Sequence, residues 1–137
     1  MATQTSTKRP DNVVCSVAFL RRHPDLTPEQ FYHHWEHVHG PLVKPWARKY
    51  GIVSYTQVHA TAALNRNAQP LGPESADAKA VLADYDGCAV IEAPDFDVLT
   101  RAFKDEYYLS VIEPDERKFI DKKVGVLRAR GESKKII

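Results

Sequence analysis

Residues 13–22, VVCSVAFLRR, read as a strand with apolar or small side chains on both faces. Val13, Cys15, Val17 and Phe19 alternate with Val14, Ser16, Ala18 and Leu20. A strand with no solvent face has to be covered on both sides. Further along, Thr27, Pro28 and Gln30 stand at N-cap, first-turn and capping-box positions, so a helix starts there. Its pattern predicts a run to about His39, an interruption at Gly40-Pro41, and a second helical piece, LVKPWARKYG, that stops at Gly51. IVSYTQVHA (52–60) is rich in β-branched and aromatic residues and predicts the second strand. GCAVIEA (87–93) predicts the third. Between them, 61–86 is a long connection with room for a short helix at 76–83, the kind of segment that serves as a lid or binding loop. Phe96, Leu99, Phe103 and Tyr107 make one helical stripe in a second helix over 94–112. EPDERKFID is expected to turn the chain into a last strand at 122–130.

The element order is β-α-β-β-α-β, the ferredoxin-like α+β arrangement, as a single domain over 13–130. Residues 1–12 are a polar lead-in and 131–137 an unassigned tail. Both helices of such a fold lie on one face of the sheet. The doubly apolar first strand therefore asks for cover on the other face, and a second copy of the chain supplies it most economically. The expected assembly is a homodimer, a dimeric α+β barrel.

Composition narrows the functional classes. The chain has 137 residues, 43% hydrophobic and 27% charged, as a globular domain does. A net charge of +1 gives no electrostatic case for nucleic acid or an acidic membrane surface. No apolar run approaches the roughly 20 residues that a membrane span needs, and no secretory signal is evident. Cys15 and Cys88 both fall in apolar strands and read as reduced, buried thiols, which makes a cytoplasmic protein the expectation.

Four of the six histidines crowd into FYHHWEHVHGPLV (31–43). At about 100° per residue, Phe31, Trp35, Val38 and Leu42 form the buried stripe, and His33 and His37 face water. His34 and His39 flank the stripe on opposite sides. The four histidines therefore do not converge, and no metal is expected. His39, beside the stripe at the helix end, can border a pocket or simply cap the helix.

TPEQFYHHWEHVHGPLV is similar to the signature of the EthD family. YDGCAVIEAPDFDVLTRAF and YYLSVIEPDERKFID resemble two further family segments, in the same order along the chain. The resemblance implies a dimeric ferredoxin-like barrel, most like small fungal proteins that process aromatic polyketides without a cofactor. It implies a decarboxylase of an anthrone-type carboxylic acid. The alternatives are an anthrone-type monooxygenase, a cyclase or dehydratase, and a non-enzymatic ligand-binding barrel.

Loss of carbon dioxide from such an acid needs a proton donor and a partner for the developing oxyanion. His39 is the first candidate for acid/base work and His59 the second. Tyr55 points the same way as His59 on its strand, and Tyr107 lies on the second helix's stripe. Trp35, Phe103, Phe19 and Phe31 are the candidate aromatic walls for the substrate, although such residues at helical or strand spacing also read as plain core. Asp115 and Glu116 read as residues that cap or pair in a turn, with Arg117 and Lys118 adjacent.

Overall fold

The four strands form one antiparallel sheet in the computed structural model, which describes residues 12–61, 85–124 and 126–137. They are β1 (Val13–Leu20), β2 (Ser54–His59), β3 (Gly87–Ala93) and β4 (Leu127–Ser133), in spatial order β2-β3-β1-β4. This is the ferredoxin-like α+β fold read from the element order. Residues 1–11 of the lead-in and the possible helix at 76–83 lie outside the described residues.

Register assigns the two faces. Tyr55 pairs with Ile91, Ile91 with Ser16, and Ser16 with Arg130, so these residues share the helix-covered face. One residue over, Thr56, Val90, Val17 and Ala129 share the opposite face, as do Val58, Cys88, Phe19 and Leu127.

The first helix begins as α1 (Pro28–His33) with the expected capping box. The Thr27 hydroxyl accepts from the Gln30 amide at 3.2 Å, and the Gln30 side chain accepts from the Thr27 amide at 2.9 Å. Contrary to expectation, Gly40-Pro41 does not interrupt it. A π-helical turn over His34–His39 leads directly into α2 (Gly40–Lys49), with the Gly40 amide donating to the Trp35 carbonyl five residues back. The wider turn makes room for the proline ring, which would crowd the preceding carbonyls of an ordinary α-helix. It also adds a residue to that turn and shifts the buried stripe. Phe31, Trp35, His39, Val43 and Trp46 are buried, whereas Val38, expected in the stripe, is 41% exposed.

The helix ends at Gly51 as predicted. Gly51 has φ 61°, its amide bonds to the Arg48 carbonyl, and the Ile52 amide reaches back to Ala47. These two bonds and the left-handed glycine make a Schellman cap.

The second helical region also departs from the sequence pattern. It starts as α3 (Phe96–Ala102), capped by the Asp95 carboxylate on the Val98 amide. It turns at residues 103–105 and resumes through a second π-helical turn, Tyr108–Ile112, into α4 (Glu113–Phe119). The EPDERKF stretch is thus helix, not turn. Pro114 sits near the start of α4 as Pro41 does in α2, again just after a π turn. Buried Asp105 ties the restart to the first helix by accepting from Lys49 Nζ at 2.6 Å, the Tyr50 hydroxyl at 2.7 Å and the Tyr107 amide at 2.9 Å. The Lys49 and Tyr50 bonds hold its carboxyl at about 2.

The last strand runs later than predicted, so the first three residues of the expected tail belong to the sheet. Residues 120–124, which follow α4, are held by the Asp121 amide on the Arg21 carbonyl and by an Arg22–Ile120 bridge.

Two apolar clusters form the core between helices and sheet. One gathers Val43, Trp46, Ile91, Leu99, Tyr108 and Ile112; the other gathers Leu20, Phe31, Trp35, Phe119 and Ile120. Burial of each large side chain among them contributes about 1.5–3 kcal/mol. Between the clusters the packing leaves a gap.

Candidate active site

That gap is a cavity of about 70 Å³ whose wall takes Trp35, Val43 and Trp46 from the first helix and Phe103, Tyr108, Ile112 and Phe119 from the second. Ser16, Ala18, Tyr55, Ala89 and Ile91 make the sheet floor, and Lys122, Val126 and Arg128 complete the lining. Its polar groups are few: His39, Tyr55, Tyr108, Glu116, Lys122, Arg128 and Ser16. A mostly apolar cavity with a few convergent polar groups is the usual make-up of a small-molecule site.

His39 reaches it because of the π turn. On an α-helix His34 and His39 stand about 140° apart, but a turn closed by i→i+5 bonds brings residues five apart nearly above one another. The two rings therefore converge on one carboxylate, Asp115 of α4. His39 Nδ1 lies 2.9 Å from its Oδ2, and His34 Nε2 lies 3.0 and 3.1 Å from its two oxygens. Asp115 and His39 are each 4% exposed.

An ionised carboxylate only accepts, so His39 carries its proton on Nδ1 and keeps the Nε2 lone pair for the cavity. Burial pulls the His39 pKa below its ordinary value, against its hydrogen bond to Asp115 and the charge of Glu116, which pull it up. A neutral imidazole oriented by a buried carboxylate is the arrangement of a general base.

Beside it stands an acidic group with two partners. Glu116 accepts from Lys122 Nζ at 2.7 Å and from the Tyr108 hydroxyl at 3.0 Å. Burial and the Glu116 charge push the Tyr108 phenol far up, so it stays protonated. Tyr55 differs in that its oxygen accepts a hydrogen bond from Gln57 Nε2 at 3.2 Å, which leaves its own O–H to donate. Burial raises its pKa as well. Gln57 in turn donates to the Trp35 carbonyl at 2.8 Å, the same oxygen that receives the π-turn bond.

Of the residues expected from the sequence, the structure brings His39, Tyr55, Trp35 and Phe103 to the cavity and leaves four elsewhere. His59 stacks on Trp35 and Tyr32, at 4.8 and 5.0 Å between centroids, and bonds to Gln57, outside the cavity lining. The Tyr107 hydroxyl donates to the Leu42 carbonyl at 2.7 Å, because the helix restart gives the inward position to Tyr108. Phe31 is wholly buried behind Trp35 in the second core cluster. Phe19 lies on the other face of the sheet, against Tyr85.

The sequence reading missed Asp115, Tyr108, Glu116, Lys122 and Arg128. For Asp115 a signal was present. It falls between Ile112 and Phe119 at three- and four-residue steps, on an apolar stripe where a carboxylate needs a partner.

Residues 23–123 match the EthD domain model, and the chain belongs to that family. It is 31% identical over 120 residues to the dehydratase aurZ of Gibberella zeae, covering 87% of this chain and 76% of that protein. It is 28% identical over 131 residues to the decarboxylase claH of Passalora fulva, covering 88% of this chain and 81% of that protein. Among solved structures, an EthD family protein of Bacillus halodurans superposes with a TM-score of 0.55 at 15% identity, over 88% of this chain and 98% of that one.

Proposed function

We propose that this EthD-domain protein is a lyase that removes water from a β-hydroxy carbonyl unit of an aromatic polyketide, using only its own side chains. The observation that carries the reading is His39, neutral, oriented by Asp115, and offering Nε2 to an aromatic-walled cavity. Dehydration begins when a base takes the proton α to a carbonyl. His39 Nε2 takes that proton, and the electron pair passes into the carbonyl as an enolate whose oxygen the Tyr55 hydroxyl receives. The carbon–oxygen bond then breaks as the double bond forms. The leaving hydroxide takes the proton back from the His39 imidazolium and departs as water. Atoms and charges balance without a redox partner. The similarity to a protein named as a dehydratase supports this class of reaction.

Decarboxylation is the second reading, favoured by one observation: Arg128 lines the cavity beside the Lys122–Glu116 pair, and its cation would hold a substrate carboxylate. The similarity to a protein named as a decarboxylase supports it too. In that reaction His39 would act in its protonated form and give a proton to the carbon that loses carbon dioxide.

The cavity is smaller than the roughly 150 Å³ that holds one benzene ring. Tyr55 and Val43 also line an adjoining groove of about 460 Å³, together with His37, Lys44 and Gln57. A polycyclic substrate would enter by parting Tyr55 and Val43, its reacting ring beside His39 and its other rings in the groove. We further propose that the active form is a homodimer joined through the sheet face that carries Val17, Phe19 and Val90.

The test is incubation under nitrogen with two substrates, a hydroxylated, not yet aromatised polyketide ketone and an anthrone-type carboxylic acid. Loss of water from the first by mass spectrometry is the expected result. Release of carbon dioxide from the second supports the decarboxylase instead, and product formed only in the presence of oxygen would overturn lyase chemistry altogether.

A further inference from the structure

Asp115 is shared between an inner and an outer histidine. The His34 side chain is 22% exposed, whereas those of Asp115 and His39 are 5% exposed. Both rings rest on Phe119, with centroids at 5.0 and 4.8 Å. One buried carboxylate thus connects a ring on the cavity to a ring in reach of solvent.

Building on the reading of His39 as the base, we propose that His34 is a positioning residue for the reaction. Its Nε2–H holds both Asp115 oxygens in the orientation that meets His39 Nδ1. Its charge state sets how much of the carboxylate's negative charge His39 feels. A neutral His34 gives Asp115 one hydrogen bond and leaves its charge to act on His39. A protonated His34 places a cation 3.0 Å from the same carboxylate and cancels much of that charge, so His39 is harder to protonate.

The groups that face His39 are Asp115 and Glu116 from α4 and His34 from its own helix. Glu116 is paired with Lys122 at 2.7 Å. The outer ring is therefore a lever on a base that solvent itself scarcely touches. The π turn is what makes the lever, since no regular helix would set residues 34 and 39 on one carboxylate.

The test compares wild type, His34→Gln and His34→Leu in two ways: the pH profile of kcat/KM, and imidazole ¹⁵N NMR of histidine-labelled protein without substrate. The Gln amide can donate to the same oxygens but has no charge to gain. His34→Gln should keep the Nδ1–H signature of His39 and raise the pH at which His39 titrates. His34→Leu should lose the pure Nδ1–H signature of His39 and lower kcat/KM by about tenfold, the scale of one hydrogen bond to a charged group. An unchanged His39 signature and pH profile in both variants would overturn the role of His34 while leaving His39 as base. A wild-type His39 that carries its proton on Nε2 would overturn the base reading itself, and this one with it. The NMR comparison stands whichever substrate proves right.

Discussion

His39 carries the chemistry in this reading, and three expectations follow at its scale. His39→Gln should lower kcat/KM by about 10²–10⁴-fold, the usual contribution of a general base. His33→Gln should leave it unchanged, because His33 is exposed on the far side of the helix. Steady-state kinetics on both variants checks this, with matched melting curves excluding a folding effect. The second expectation concerns pH. The folded His39 pKa lies below its ordinary value of 6.5, so the base stays available at neutral pH and kcat/KM should fall only on the acid side of that value. Asp115→Asn removes a hydrogen bond and a charge that hold the pKa up, so its acid limb should move lower still, with a lower plateau. Thirdly, the same shift predicts stability. Below about 6.5 the unfolded chain binds a proton that the buried ring resists, so stability is full above that pH and declines as pH falls through the folded pKa. Urea melts across the acid range should show a shallower decline for His39→Gln.

At the scale of elements, the two π turns and one glycine decide how the helices meet the sheet. Each π turn precedes a proline near the start of the next α-helical segment; the first re-phases its helix so that His39 takes the inner face where Val38 was expected, and the second leads into the segment that carries buried Asp115. Gly87 fixes the distance between the first helix and the sheet. A Cβ there would stand 2.5 Å from Trp35 Cζ3 and 2.8 Å from the Val58 carbonyl oxygen. The carbonyl belongs to the paired strand and cannot retreat. Gly87→Ala should therefore cost about 1–3 kcal/mol, as overpacking does, and displace Trp35. Denaturant titration, followed by the tryptophan signal, measures both. A wild-type midpoint would show that the first helix can ride up without loss.

For the whole molecule, the sheet face opposite the helices carries Val17, Val90, Phe19 and Ala129, with Val58 40% exposed and Leu127 52% exposed. Such a contiguous apolar surface favours association. Sedimentation equilibrium at micromolar concentration should find a homodimer, and Val17→Lys, which puts a charge at the centre of that face, should give a monomer. A monomeric wild type would end the dimer proposal.

The sequence alone determined the element order, the capping box at Thr27, the stop at Gly51, and which side chains alternate along the strands. Each of these rests on local chemistry: a hydroxyl beside unpaired amides, a residue free to take positive φ, a period of two. It also placed His39, Tyr55, Trp35 and Phe103 in the candidate site. Tertiary structure decided the rest. Helical phase computed at a constant step put His34 and His39 on opposite flanks and Tyr107 on the inner stripe. The π turns and the break at 103–105 changed that step, and their hydrogen bonds depend on what packs around them. Asp115 stands 76 residues from His39, and nothing local relates the two. Only the packing of the two helices on one sheet sets a carboxylate between two imidazoles, where burial leaves each no better partner than the other.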